Sequence, residues 1–318
     1  MAAPVSSVPI WVKKLSGQFE IARNEMTPTW AESISMDTGE DGPEVKFQWL
    51  LSVPGFQKFM GERSVAALTD EKLEIISEIY ERTLEIPKDD IMRDQLGQHL
   101  SAVSQLAQRA NQLWNKLTTE AIIGGETTPC FTGSYFFDNN HIYDGADTPQ
   151  SNVHTFSLAS VPTNEPKGTA TDPSAAVLAW VITKAIEKIH GWVDRAGEPV
   201  NEHQTSFQVH VPLRMRGATN TALRAQYLGH GVTNDIENQD FSVNPVGNTR
   251  LNGWGNQFCI FVNGGNAFIR HDEFINDAFL GEGSDYWFQK RAGQWSIEMS
   301  RNLVYGDPAH AHLVKLVA

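Results

Sequence analysis

Apolar residues recur at steps of three and four between Pro87 and Glu120. Leu96, Leu100, Val103, Leu106 or Ala107, Ala110, Leu113 or Trp114, and Leu117 fall on one stripe, and Gln98, Ser101, Gln105, Gln108, Asn115 and Lys116 lie opposite. The spacing predicts one long α-helix over about 89–120, a rod of roughly 45 Å at ~1.5 Å per residue. Asp89 and Asp90 stand where an N-cap and a first-turn acid belong, and Gly124-Gly125 supplies the stop. Gly97 falls inside this expected helix, at a cost of about 1 kcal/mol relative to Ala.

Ahead of the helix the pattern changes. Trp11, Leu15, Phe19 and Ala22 form one side of a short amphipathic segment within a Pro-containing tail, residues 1 to about 33. So short a helix is marginal alone. It is either an ordinary docked helix or an arm lying on a neighbouring subunit. Gly39, Gly42 and Pro43 then mark a turn-rich acidic connector, and "VKFQWLLSV" reads as a strand. Pro54-Gly55 signals a turn, and β-branched and aromatic residues favour a second strand from about 78 to 86. These runs outline a long hairpin with little apolar sequence of its own to bury, so it needs another element or another chain to pack on.

Beyond the helix, "TTPCFTGSYFFDNNH" is β-like with a turn at Gly133, and 139–175 is loop-rich. A second helix spans Ser174 to Trp192 after the cap-like "TDPS". Phe207, Val209 and Val211 alternate as a strand, and "LRMRGATNTALRAQYLGH" is helical with a break near Gly217. Short strands follow at "FSVNP", "NQFCIFVNGG" and "AFIRH", and two or three more close the chain. The order predicts an α+β architecture, a long helix against a sheet with a second, mixed lobe over about 171–258.

Charge and cysteine content narrow the function. The 318 residues carry a formal net charge of −13, and Lys13-Lys14 is the densest basic pair. Sequence-independent DNA affinity comes from neutralising phosphates, so weak binding by the free chain is expected. Two cysteines, Cys130 and Cys259, make no disulfide scaffold and favour a reduced compartment. No apolar run reaches the ~18 residues of a membrane span, and the N-terminus lacks a signal-peptide pattern, so the reading is soluble and intracellular.

Catalytic patterns are weak. Gly253-Trp254-Gly255 lacks the third glycine of a dinucleotide fingerprint, and neither a P-loop nor a nucleophile elbow occurs. His310-Ala311-His312 near Asp307 reads as exposed polar residues beside a terminus, and His271-Asp272-Glu273 as a solvated turn. Asp138, Asn140, Asp144 and Asp147 fail the Ca²⁺-loop pattern, because Ile142 and Tyr143 fill its fifth and sixth places. No metal, cofactor or catalytic residue is expected. A metal-dependent hydrolase using His271 or His310 is the least favoured alternative.

An ordered set of residues carries a resemblance. Phe47, Trp49, Leu50, Pro54, Gly61 and Arg63 come first, then Tyr80-Glu81, Ile86 and Asp89-Asp90. After the helix come Gly133, Phe136-Phe137 and His141. Over roughly 45–141 this order resembles the major head subunit of phage Mu and its relatives. The resemblance implies the Hong Kong 97-type capsid fold, with an N-terminal arm (1–33) and an extended loop with adjoining strands (34–86). It implies a peripheral domain (87–170) with its spine helix, an axial domain (171–258), and return strands (259–318) completing the peripheral domain.

By that resemblance the chain is a non-enzymatic major capsid protein of the virion, assembled in the bacterial host cytoplasm. Copies form hexamers and pentamers of an icosahedral shell around double-stranded DNA, bound without sequence specificity and without a membrane. A separate scaffolding protein, a portal, and a head protease or decoration protein are the implied partners. Phe47, Trp49, Leu50, Pro54, Phe56, Phe59, Gly61 and Arg63 are the expected inter-subunit contacts of the extended loop, and Trp11, Leu15 and Phe19 those of the arm. An encapsulin-like nanocompartment shell is the alternative within the same fold.

Overall fold

A computed structural model describes residues 9–39, 42–50, 70–146, 148–162, 166–224, 227–228, 232–233 and 240–318. The chain opens with helix α1 (Ile10–Asn24), strand β1 (Ser35–Asp37) and the ribbon strands β2 (Glu44–Leu50) and β3 (Asp70–Ile76). Strand β4 (Glu78–Pro87) leads into a short helix α2 (Lys88–Met92) and the long helix α3 (Gly97–Gly124). Strand β5 (Val153–Ser157), a two-residue pair β6 (Gly168–Thr169) and β7 (Asp172–Pro173), and helix α4 (Ala175–His190) follow. Next are β8 (Ser206–Val211), α5 (Leu213–Arg224), the small pair β9 (Tyr227–Leu228) and β10 (Val232–Thr233), and β11 (Ser242–Gly247). The chain closes with β12 (Gln257–Val262), β13 (Phe268–Leu280), α6 (Asp285–Lys290), β14 (Ala292–Tyr305) and β15 (Ala311–Val317).

A five-stranded sheet, ordered β11-β8-β12-β15-β5, forms the first layer system. Its central strands β8, β12 and β15 are buried on both faces, which explains their largely apolar sequence. Phe258, Ile260 and Val262 of β12 face α4 and α5, together with Val209 of β8 and Val314 of β15. Their alternates Cys259, Phe261 and Leu313 face a second cluster that contains Ile122 of α3, Phe136, Phe137 and Phe268. Ser174 caps α4 through its side chain, as the "TDPS" pattern predicts.

A four-stranded sheet, ordered β1-β13-β14-β4, forms the second. One face takes α1 and α3, with Trp11, Leu15, Phe19, Ile86, Val103, Ala107, Ala110, Trp295 and Ile297 in a common cluster. The predicted stripe of the long helix is thus the face that packs: Leu96, Val103, Ala107, Ala110 and Trp114 are buried.

The helix itself differs from expectation. Asp89 and Asp90 sit in the first turn of the separate α2, and the chain breaks at Arg93–Leu96, where Asp94 takes φ +54. An Asp tolerates that left-handed backbone better than most residues, and Lys14 holds its carboxylate at 2.6 Å. The break turns Leu96 into the core as the N-cap residue of α3, so Gly97 begins the helix and carries no interior penalty. The stop at Gly124-Gly125 is one of space, not of left-handed backbone: φ is −62 at Gly125, and a Cβ there would stand 2.5 Å from the Phe137 ring.

Other expectations need correction. Gly217 does not break α5. Val153–Ser157 is a strand inside the stretch read as loop, paired in parallel with β15. The segment 259–318 does not simply complete one sheet, since β12 and β15 belong to the five-stranded sheet and β13 and β14 to the other. Strand β13 runs 13 residues, so His271-Asp272-Glu273 lie on a strand at a β-bulge rather than on a solvated turn.

Candidate functional site

Strands β2 and β3 form a two-stranded antiparallel ribbon from Glu44↔Ile76 to Leu50↔Asp70. A free ribbon of this kind is marginal in water, and its root is clamped accordingly. Val45 and Ile75 are buried at the base, where Ile75 meets Ile269, Met36, Phe131 and Val304. Ser77 N–H donates to the Pro43 carbonyl at 3.0 Å, and Asn302 Nδ2 to the Ile76 carbonyl at 2.5 Å. His271 Nε2 lies 2.8 Å from the Gly42 carbonyl and Nδ1 2.9 Å from Thr38 Oγ1. A carbonyl only accepts, so Nε2 carries a proton and donates it to Gly42, while Nδ1 pairs with the Thr38 hydroxyl.

Asp272 and Glu273 point to other partners. Arg301 grips Asp272 through two N–H donors at 2.9 and 2.8 Å, donates a third to the Ala110 carbonyl of α3, and lies over the Trp114 ring. Glu273 accepts from Ser300 Oγ at 2.5 Å. The three residues that looked like a metal cluster by composition hold three separate places: His271 the ribbon's root, Asp272 the arginine that reaches α3, and Glu273 the neighbouring strand β14. Among the described residues no group of three or more His, Cys, Asp or Glu could hold a metal ion.

The C-terminal histidines are also structural. Far from exposed, His312 and His310 are buried, as is Asp307. Asp307 accepts from the Tyr143 hydroxyl at 2.8 Å and from Ala309 N–H at 2.9 Å, and His310 bonds Asn266. His312 stacks on His154 with ring centroids 4.8 Å apart, and burial pushes its pKa down to about 3. Burial raises the thiols of Cys130 and Cys259, so neither is an activated nucleophile. Asp138 caps its own loop, accepting from Asn139 and Asn140 N–H.

The expected arm contacts are corrected by the packing. Trp11, Leu15 and Phe19 are buried in the chain's own core. Trp11 meets Phe279 edge-on at 6.3 Å, Phe19 meets Trp295 at 6.1 Å, and Trp295 Nε1 donates to Ser16 Oγ. The docked-helix reading holds for these three side chains. Of the expected loop contacts, Phe47, Trp49 and Leu50 lie on β2, opposite Leu73, Glu71 and Asp70. Pro54, Phe56, Phe59, Gly61 and Arg63 lie outside the described residues.

Two surfaces escaped the sequence reading. The face of the four-stranded sheet turned away from α1 and α3 is open: Ile79, Glu81, Thr83, Glu85, Glu298 and Ala278 are exposed there. The alternation in 78–86 carried that signal, since Leu84 and Ile86 pack inward while the residues between them do not. Among the described residues its edges are also unpaired: β4 ends the sheet, and β1 covers β13 only from Phe268 to Arg270. The second surface is the solvent face of α5.

Comparison with known proteins agrees with this geometry. Residues 10–161, from α1 through the ribbon and α3 to just beyond β5, match the family model described as the Mu-like prophage major head subunit gpT. The chain is 28% identical over 95 residues to the Mu-like prophage FluMu major head subunit of Haemophilus influenzae, covering 30% of this chain and 31% of that protein. It is 26% identical over 149 residues to the major capsid protein of Escherichia phage Mu, covering 46% and 47%. The matches thus span less than half the length of these curated relatives. Over its whole length the chain is similar to the capsid of the cyanophage P-SCSP1u, with TM-score 0.51, 12% identity, and 100% and 93% of the two chains covered. The chain has the α+β fold of tailed-phage capsid proteins, the Hong Kong 97 type.

Proposed function

We propose that this chain is the major capsid protein of a tailed phage, a shell subunit whose copies build an icosahedral head around double-stranded DNA. The observation that carries this reading is the similarity of residues 10–161 to the Mu-like head subunit. That span holds the clamped ribbon and the long helix, the parts that a self-contained enzyme has least use for. The whole-length likeness to a phage capsid supports it.

The physical logic is one of incomplete burial. A ribbon with a rigid root and an open sheet face with unpaired edges leave contacts for another copy to make. Repeated many times, such contacts stabilise a closed shell even if each is weak. Hexamers and pentamers, a separate scaffold, a portal, and a decoration protein or head protease complete the proposal, with assembly in the host cytoplasm. The chain has no catalytic role in it. The domain limits stay as read from the sequence, with β5, β12 and β15 reassigned to the sheet of the axial lobe.

Shortening the ribbon to a tight turn between Lys46 and Glu74 tests the reading. Purified wild-type chain, with its scaffold where needed, is expected to give hollow particles by electron microscopy. The shortened chain is expected to keep the wild-type circular dichroism and give none. Normal shells from the shortened chain, or a wild type that stays monomeric in analytical ultracentrifugation under all assembly conditions, would overturn it.

A further inference from the structure

The chain is acidic as a whole, yet its charge is strongly segregated. No Asp or Glu occurs from residue 203 to 234 or from 241 to 271, and Arg214, Arg216, Arg224, Arg250 and Arg270 do. Arg270 is spoken for by Glu32 and Asp37. The other four are exposed and, among the described residues, pair with no acid.

Helix α5 gathers three of them. Met215, Thr219 and Ala222 face the core. At ~100° per residue, Arg214, Arg216 and Arg224 then fall on the solvent half, either side of a crest formed by Gly217 and Thr221. The fourth extends this surface. Arg216 lies flat across Gly247, where a Cβ would stand 2.6 Å from its Cδ, and Arg250 follows three residues later. The elements packed on α5 bring few acids: α4 holds Glu187, already bound by Lys184 at 2.7 Å, and β7 holds Asp172, which no arginine reaches.

We propose that the arginine face of α5, with Arg250 beside it, is a contact surface for the phosphate backbone of nucleic acid. Its composition favours this over a protein partner. A protein interface places buried aromatic or aliphatic anchors at its centre, and here the centre is Gly217 and Thr221, with only Leu213 as an exposed large apolar side chain. Interfaces with nucleic acid are instead polar and strongly positive. Guanidinium groups match phosphate oxygens through paired N–H donors. From Arg214 to Arg224 the helix rises about 15 Å, the axial length of roughly four phosphates of one strand. The face goes beyond the shell reading and does not depend on it. One chain offers few contacts against a net repulsive charge, so binding is weak and salt-sensitive, and many copies in one particle would add.

Fluorescence anisotropy of the full-length chain with a random-sequence duplex of about 25 base pairs, from 20 to 200 mM salt, tests it. Log affinity is expected to fall with log salt at a slope of about −3, from three or four neutralised phosphates. Each Arg→Ser change at 214, 216 or 224 should lower the slope by about one, and the triple variant should lose at least tenfold in affinity at 20 mM salt. Arg→Lys at all three should keep the slope. Lys13→Ser, an equal loss of charge on α1, should change nothing. Circular dichroism verifies that the variants are folded. The proposal fails if wild type does not bind at 20 mM salt, or if the triple variant binds as wild type. It also fails if the triple variant binds duplex normally but cannot assemble, which would assign the face to an acidic protein surface.

Discussion

In the five-stranded sheet, β8, β12 and β15 are buried on both faces, whereas in the four-stranded sheet β4 and the far half of β13, Asn276–Leu280, face solvent. The edges differ in the same sense. Leu313 N–H reaches the Asn152 carbonyl, so the backbone groups of Val153 on β5 point away from β15, and the Ser151 hydroxyl takes both of them. Ser160 takes the Ser157 carbonyl, and the opposite edge strand β11 carries Pro245, which has no N–H. Both edges of that sheet are therefore partly blocked to further strands. The other sheet, among the described residues, leaves the outer edge of β4 and the far part of β13 unpaired and carries a clamped ribbon at its side. Among the described residues the first sheet is buried within one chain, and the second keeps an exposed face.

Substitutions should separate the two regions by size of effect. Phe258 lies fully buried between β12 and the helices α4 and α5. Phe258→Ala is expected to cost about 3–5 kcal/mol, read as a lower urea midpoint. A cost under 1 kcal/mol would mean that this sheet is less well packed than its burial implies.

Acid should act on the buried sheet next. Burial holds His210 and His312 neutral, with pKa values lowered from 6.5 to about 3, and His154 and His141 are lowered too. Below pH 6.5 the unfolded chain gains protons that the folded chain refuses, so stability falls with pH until the folded values near 3 are reached. At pH 5 the loss is about 2 kcal/mol for each of His210 and His312. Urea unfolding at pH 7.5 and pH 5 measures it, and His312→Gln should flatten the difference. A stability unchanged across that range would show that these rings are protonated where they lie.

How much of this contrast the sequence carried depends on where the partners of each residue sit. Periods of two and 3.6 exposed β8, α4 and the buried stripe of α3, because there each residue's neighbour is set by local geometry. The break at Asp94 was hidden: Lys14 and the core pocket of Leu96 come from elsewhere in the chain. His271 and His312 looked exposed because histidine is common on surfaces, and only long-range pairing put them under the ribbon and inside a sheet. Trp11, Leu15 and Phe19 were legible as a stripe, but a stripe does not say whether its own chain or another covers it. The arginine face of α5 was invisible to a search for consecutive basic residues, since its members are two and eight positions apart.

A smaller effect, of opposite sign, is expected on the open sheet. Glu81 and Glu298 stand directly opposite each other on β4 and β14, both exposed on the free face. Like charges across a strand pair are unfavourable. Glu298→Lys should therefore raise the urea-derived stability of the isolated chain by about 0.2–1 kcal/mol. A loss of stability instead would mean that Glu298 makes a contact that the open face does not account for.

The smallest effect on folding should come with the largest on assembly. Ile79 is 69% exposed, and among the described large apolar residues only Phe288, Ile10 and Met92 are more so. It sits opposite Ser300 on the open face. Replacing it by Thr keeps the β-branch that suits a strand and removes only exposed apolar surface, so the cost to the isolated chain should stay below about 0.5 kcal/mol. If a neighbouring copy covers the open face, the same methyl groups are buried in the shell. The loss is then repeated in every subunit, and particle yield by sedimentation should fall at low chain concentration while the monomer melts as before. Should Ile79→Thr destabilise the monomer by more than 1 kcal/mol, the face is not open. Should it leave particle yield unchanged at every concentration, the face is open but no copy uses it, and the four-stranded sheet would have to be closed along its edges instead.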